Sequence, residues 1–313
     1  MESESYTPIY LKTKESGLLA EKIKTASEIL KNCILCPRRC GVDRTSGKLG
    51  VCKTGRNAFV SSYGPHYGEE EPLVGESGSG AIFFTHCNLG CIFCQNYEVS
   101  IEGKGFEMED DRLAHIMIGL QNEGCHNINL VTPTHVVPQI IRAIDIACDM
   151  GLCIPIVYNS SGYDSIETLK LLDGIVDIYM PDFKFWNPES SKMACNAPDY
   201  PEVAKIAIKE MHRQTGDLET GDIGLAYKGL LIRHLVMPGM IDQTENILNF
   251  IAKEISTKTY VNIMPQYRPF GEAENLPELN RMITGDEYKA ALESAVCAGL
   301  ERLDSAGMRF IAG

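Results

Sequence analysis

The stretch "AIFFTHCNLGCIFCQN", Ala81 to Asn96, begins as a strand and ends as a metal-ligand loop. Its first five residues form the continuous apolar run that suits a strand buried on both faces. Directly after it come Cys87, Cys91 and Cys94, spaced C-x3-C-x2-C and one thiol short of a closed four-cysteine cage. Thiolates are soft ligands for zinc, copper(I) and iron–sulfur clusters. A cubane 4Fe–4S cluster on such a triad would have three corners held by cysteine and one iron left open. An open coordination position marks a reactive centre rather than a structural one. Gly90 allows the tight turn that this loop needs. The competing reading is a zinc site completed by His86, whose adjacency to Cys87 makes joint ligation awkward.

The run at 81–85 starts a rhythm. Similar runs recur as "INLVT" (128–132), "IPIVY" (154–158), "VDIYM" (176–180), "LLIRHLV" (230–236) and "YVNIM" (260–264). Helical patterns lie between them over 112–122, 138–150, 165–172, 200–213 and 244–254, with a last one over about 286–302. This alternation argues for an α/β fold, a parallel sheet with right-handed crossovers. Six units predict a partial (β/α)6 barrel over residues 80–313, with its chemistry at the C-terminal strand ends. Thr132, Thr134 and His135 fall at the second such end, and Asn159 and Ser160 at the third. Asp182 and Lys184 fall at the fourth, and Arg233 lies in the fifth run.

Residues 1–79 read as a small N-terminal module. A helical pattern over 16–32 leads into Cys33, Cys36, Cys40 and Cys52, and the stretch 53–79 reads as irregular or hairpin-like. Four thiolates close a coordination shell, so this set suits a structural or electron-carrying metal. Its spacing leaves zinc and a second iron–sulfur cluster both open. Arg38, Arg39, Arg44 and Lys48 surround it, and positive neighbours favour thiolates. "GEEEP" (68–72) reads as a solvated acidic turn, and Trp186 as a packing residue. Cys125, Cys148, Cys153, Cys195 and Cys297 are scattered and read as packed core thiols.

Hydrophobic residues make up 44%, enough for a globular core. A net charge of −13 argues against a phosphate-tracking surface, so no nucleic acid partner is expected. No apolar stretch approaches the length of a membrane span, and "MESESYTP" lacks the apolar run of a signal peptide. These features predict a cytoplasmic protein whose clustered cysteines bind metal instead of forming disulfides.

The motif Cys87-x3-Cys91-x2-Cys94, with Phe93 before the last cysteine, resembles the signature of the radical SAM superfamily. There too it follows the first strand of a partial barrel; the resemblance covers roughly residues 80–300. "YMPDFKF", with Met180-x-Asp182-x-Lys184, is similar to a motif of the pyruvate formate-lyase-activating branch that lies beside bound S-adenosylmethionine (SAM). "LIRHLVMPG" (231–239) resembles that branch's fifth strand, and "NSSG" (159–162) takes the place of a third-strand turn. "VTPTH" (131–135) departs from the family's Gly-Gly-Glu, and Asn159 from its Asp. The whole chain resembles a subgroup with its own N-terminal four-cysteine module.

That resemblance implies a 4Fe–4S cluster on Cys87, Cys91 and Cys94, with SAM on the open iron. It implies cofactor contacts from Thr132, Thr134, His135, Asn159, Ser160 and Arg233, and catalytic roles for Asp182 and Lys184. An external low-potential donor such as flavodoxin or ferredoxin would reduce the cluster. Cleavage of SAM would yield a 5′-deoxyadenosyl radical that abstracts hydrogen, activating a glycyl-radical enzyme or modifying another protein. The alternatives are a radical enzyme acting on a small molecule, or an iron–sulfur electron-transfer adaptor without SAM chemistry.

Overall fold

The structure, a computed structural model, describes residues 6–304. Ten strands run through them: β1 (Ala58–His66), β2 (Ser79–Phe84), β3 (Phe106–Met108), β4 (Ile128–Val131), β5 (Ile156–Ser160), β6 (Ile178–Pro181), β7 (Glu219–Thr220), β8 (Ala226–Leu235), β9 (Tyr260–Met264) and β10 (Arg302–Leu303). β2, β4, β5, β6, β8 and β9 lie side by side in that order, and every neighbouring pair is parallel. These are the six apolar runs, and the expected partial (β/α)6 barrel is the fold observed. Helices Asp110–Asn122, Val137–Asp149, Ile166–Leu172, Tyr200–Thr215 and Ile241–Phe250 connect them.

The differences from the sequence reading have local causes. β5 starts at Ile156, two residues late, because Pro155 has no N–H for the ladder. β6 starts after Asp177, whose carboxylate accepts the backbone N–H groups of Ile9 and Ile156 at 2.8 Å each. The helix expected over 16–32 becomes Ile9–Glu15 and Leu18–Ile29, because Gly17 between them takes a left-handed φ of 80°. The last helix, Gly285–Ala298, opens on a Thr284–Glu287 capping box. It closes at a left-handed Gly299, earlier than expected, and β10 then joins β9 in parallel. Helix Pro188–Cys195 and the short Tyr97–Ser100 and Glu71–Val74 were not expected.

The stretch 53–79 is the largest difference. It holds β1, antiparallel on β2 with Val60 opposite Phe84 and His66 opposite Ser79. Its connection to β2, through Glu71–Val74, therefore enters β2 at its N-terminal end. Tyr10, Leu19 and Ala26 of the N-terminal helices share one core with Ile82, Leu130, Tyr158 and Ile232 of the strands. A fully buried leucine such as Leu19 contributes about 1.5–3 kcal/mol, which ties these helices to the barrel. Among the described residues no helix is long and apolar enough to cross a membrane.

Candidate active site

β2 delivers the triad. The chain leaves it through His86, at φ 64°, and runs directly into Cys87. The loop is held from outside by neighbouring elements. Asn88 Nδ2 donates to the carbonyl of Tyr163 (2.6 Å), and the Ile92 N–H to that of Ala194 (3.0 Å). Arg38, from the N-terminal cysteine module, donates to the carbonyls of Asn88 and Leu89, both at 3.1 Å. Cys91 is buried and Cys87 and Cys94 are half-buried.

All three thiols open on a cavity of about 470 Å³ at the C-terminal ends of the parallel strands. That volume suits one small-molecule ligand. Thr132, Asn159, Ser160, Asp182, Lys184 and Arg233 also line it. Thr134 and His135 do not. The Thr134 hydroxyl donates to buried Asp164 (2.7 Å), and His135 Nε2 meets the carbonyl of Thr85 (2.8 Å). Burial depresses His135 to about 3, so it is a neutral histidine of the core. His234 is likewise buried, between the Phe183 carbonyl and Thr244. Thr132 has φ 61°, an uncommon backbone for a β-branched residue, and such strain collects at functional sites.

Asp182 and Lys184 follow β6 and form a largely buried ion pair. Burial would lower the pKa of Lys184, but the charge of Asp182, with that of Cys91 when ionised, outweighs it. Lys184 therefore keeps its ammonium within electrostatic reach of Cys91 and Cys94. Arg233 is engaged by two carboxylates that the sequence reading placed in solvent. It reaches Glu70 with Nε at 2.7 Å and Nη2 at 2.6 Å, and also pairs with Glu69. Asn262 donates to Glu70 at 2.7 Å. Glu69 and Glu70 are buried in the cavity wall, so "GEEEP" is not a solvated turn.

The donor set fits an iron–sulfur cluster. Burial pushes the Cys87 thiol up to about 12 and raises Cys94; contact with Cys195, then burial, raises Cys91 well above its ordinary value. Thiols of this kind ionise on a bound metal, with release of protons. Among the described residues no three His, Cys, Asp or Glu side chains stand as a ready cage for a single metal ion.

The tetrad gathers beside the triad loop. Burial pushes the Cys36 thiol up to about 12, and charge on Cys52, Cys33 or Cys40 would push it further, so these thiols lie within electrostatic reach of Cys36 without forming a ready cage. A Cβ on Gly50 would come within 2.4 Å of Cys40 Sγ, so only glycine lets that sulfur sit there. Of the four cations expected around the tetrad, Arg44 alone is buried against it, with Nη1 4.0 Å from Cys33 Sγ. Arg38 turns to the triad loop instead, and Arg39 pairs with Glu167. Cys195 lies in the core as expected, 3.3 Å from Cys91 sulfur to sulfur, whereas Cys153 and Cys297 are exposed.

Among curated proteins, the chain is 35% identical over 289 residues to an uncharacterised protein of Methanocaldococcus jannaschii, MJ0674. That match covers 89% of this chain and 78% of the relative. Among solved structures, it resembles Streptococcus suis SuiB bound to its precursor peptide SuiA, at 12% identity and a TM-score of 0.44. This likeness covers 68% of this chain and 43% of SuiB, so the chain spans less than half of SuiB's length. A second resemblance, to anSMEcpe with bound AdoMet, has 10% identity and a TM-score of 0.45, covering 70% of this chain and 60% of that one. The profile of the radical SAM superfamily matches residues 81–251. That span runs from β2 through β8 with the cysteine loop inside it, and on this match the chain belongs to the radical SAM superfamily.

Proposed function

We propose that this chain uses SAM-derived radical chemistry to modify another polypeptide, with activation of a glycyl-radical enzyme as the specific form. The observation that carries the proposal is convergence. Three thiols from one loop and the Asp182–Lys184 pair from another strand end meet at a single cavity. When bound and reduced, a 4Fe–4S cluster on the triad supplies the electron that cleaves SAM to methionine and a 5′-deoxyadenosyl radical. The chain's own residues bind and orient. Lys184 offsets the negative charge of the thiolates, and Asp182 beside it presents an acceptor to the hydroxyl or ammonium groups of SAM. The similarity of Met180-x-Asp182-x-Lys184 to the activating-enzyme branch supports the polypeptide substrate. An external low-potential donor such as flavodoxin or ferredoxin is the electron source this chemistry requires.

The test is to incubate reduced protein and SAM with a candidate glycyl-radical polypeptide and record an electron paramagnetic resonance (EPR) spectrum. A glycyl radical on the polypeptide supports the proposal. 5′-Deoxyadenosine formed without any change to a panel of such polypeptides speaks for a small-molecule substrate.

The ion pair has its own expected signature. A hydrogen bond to a charged group contributes roughly 1.5–3 kcal/mol, so losing one weakens SAM binding by about ten- to a hundredfold. Asp182→Ala and Lys184→Ala should each shift the SAM dependence of 5′-deoxyadenosine yield by that factor, with iron content unchanged. Identical SAM titrations in both variants would reduce the pair to a structural role.

The tetrad completes the proposal as a second metal site. Arg44 is 1% exposed and, among the described residues, has no carboxylate partner; it donates to the carbonyls of Gly55 and His135, while Nη2 has no hydrogen bond. A buried guanidinium left in this state is costly unless an anion lies near it. A metal held by four thiolates supplies that negative charge beside Cys33. Anaerobically reconstituted protein should therefore hold about eight irons, or about four irons and one zinc. Cys52→Ser should lower only the tetrad's share. Four irons and no other metal in the parent protein would leave the tetrad without a metal role.

A further inference from the structure

We infer that Cys195 and Ser100 are positioning residues that set the reduction potential of the triad's cluster by donating hydrogen bonds to two of its thiolates. The inference rests on the reading that the triad holds a cluster. Each triad sulfur has donors among the described residues, and backbone N–H groups of Gly90 and Asn96 add to those on Cys87 and Cys94. The Leu89 N–H lies 3.4 Å from Cys87 Sγ, the Ser100 hydroxyl 3.1 Å from Cys94 Sγ, and Cys195 Sγ 3.3 Å from Cys91 Sγ. The first is backbone; the other two are side chains that mutation can remove.

Cys195 is a donor and not a fourth ligand by its placement. Cys91 faces the 470 Å³ cavity, whereas Cys195 lines a smaller one of about 290 Å³ on the other side of the loop, with Cys52 and Cys87. Two sulfurs 3.3 Å apart cannot comfortably both be thiolates, because like charges in contact repel. The one facing the cavity would release its proton to solvent when metal binds, and the other keeps its S–H and donates it to the first. Its position is fixed from both sides. The Cys195 carbonyl accepts Arg38 Nη2 at 2.8 Å, and the Ala194 carbonyl before it accepts the Ile92 N–H at 3.0 Å. Ser100 closes the short helix Tyr97–Ser100 that immediately follows the triad.

A donor to a ligand sulfur stabilises the more electron-rich state, so it favours the reduced cluster and raises its potential. The test is a redox titration of the EPR signal that responds to SAM, in the parent protein, Cys195→Ala, Cys195→Ser and Ser100→Ala. Each alanine variant should lower the equilibrium constant for one-electron reduction by about tenfold, which is about 59 mV. Cys195→Ser keeps a donor and should return most of the shift. Unchanged midpoints in both alanine variants at full iron content overturn the inference and leave the cluster reading intact. Loss of iron in both Cys195 variants overturns it too, by making Cys195 a ligand. Where Cys195→Ala does not fold, Ser100→Ala carries the test. Equal iron in Cys87→Ala and the parent would instead overturn the cluster reading itself.

Discussion

Replacing Cys87, Cys91 or Cys94 by alanine is expected to abolish 5′-deoxyadenosine formation. The three thiols come from one loop, face one cavity and are each held by a separate contact. Losing any one leaves a cluster with two protein corners and its open iron out of place. Among the described residues no other cysteine lines that cavity; Cys195 lines the smaller one instead. The loss should be complete, not graded, and it should appear with iron content reduced. Cys297→Ala, at an exposed site on the last helix, should behave as the parent does. The assay is chromatographic detection of 5′-deoxyadenosine from dithionite-reduced protein. Near-parental yield in any one triad variant would show that the triad is not the ligand set.

The second large effect is on stability. Arg233→Ala removes the only cation, among the described residues, bonded to Glu70, whose side chain is 1% exposed. Breaking a buried pair from one side costs about 3–5 kcal/mol, because an uncompensated charge stays behind. The sign of its pH dependence follows from Glu70. Burial alone would raise the pKa of this carboxyl, but Arg233, by charge and hydrogen bonds, and Asn262 hold it below the ordinary value. In the parent, this contribution is present above the ordinary carboxylate pKa and is lost as pH falls through the depressed one. In Arg233→Ala burial, the largest influence, is opposed only by hydrogen bonds such as that of Asn262, so folded Glu70 takes up a proton more readily than unfolded Glu70. The variant's deficit should therefore narrow as pH falls from 7 toward 5. Arg233→Lys should recover part of the loss, since an ammonium cannot reproduce the two-point contact. Urea unfolding at both pH values is the measurement. A deficit under about 1 kcal/mol at pH 7 would place the pair among the weak surface bridges.

The fold and the triad were legible because both are written locally. A ladder buried on both faces leaves an apolar run wherever it occurs, and three ligands on one loop leave a spacing. The pairs that organise the cavity wall are not local. Arg233 and Glu70 are 163 residues apart, and Cys91 and Cys195 are 104 apart. Charge density at "GEEEP" pointed to solvent because nothing nearby in sequence shows the guanidinium that neutralises it. Cys195 looked like a scattered thiol for the same reason. β1 was missed because its run, "AFVSSYGPH", holds only a few apolar residues and a Gly-Pro step. β1 lies between β2 and the three-residue β3, which pairs only Ala58–Val60, so Gly64 and Pro65 sit where the outer side of β1 has no neighbour in the sheet. His135 stood at a strand end, where site residues gather, yet its ring turns into the core toward Thr85.

The most direct measurement is SAM cleavage by the reduced, iron-loaded parent protein, followed by EPR of the cluster before and after SAM is added. Chemistry at Cys87, Cys91 and Cys94 requires 5′-deoxyadenosine to form and the cluster signal to change when SAM binds. A protein holding a full cluster on this triad that leaves SAM intact, with a spectrum indifferent to it, would contradict that chemistry and leave an electron-transfer role.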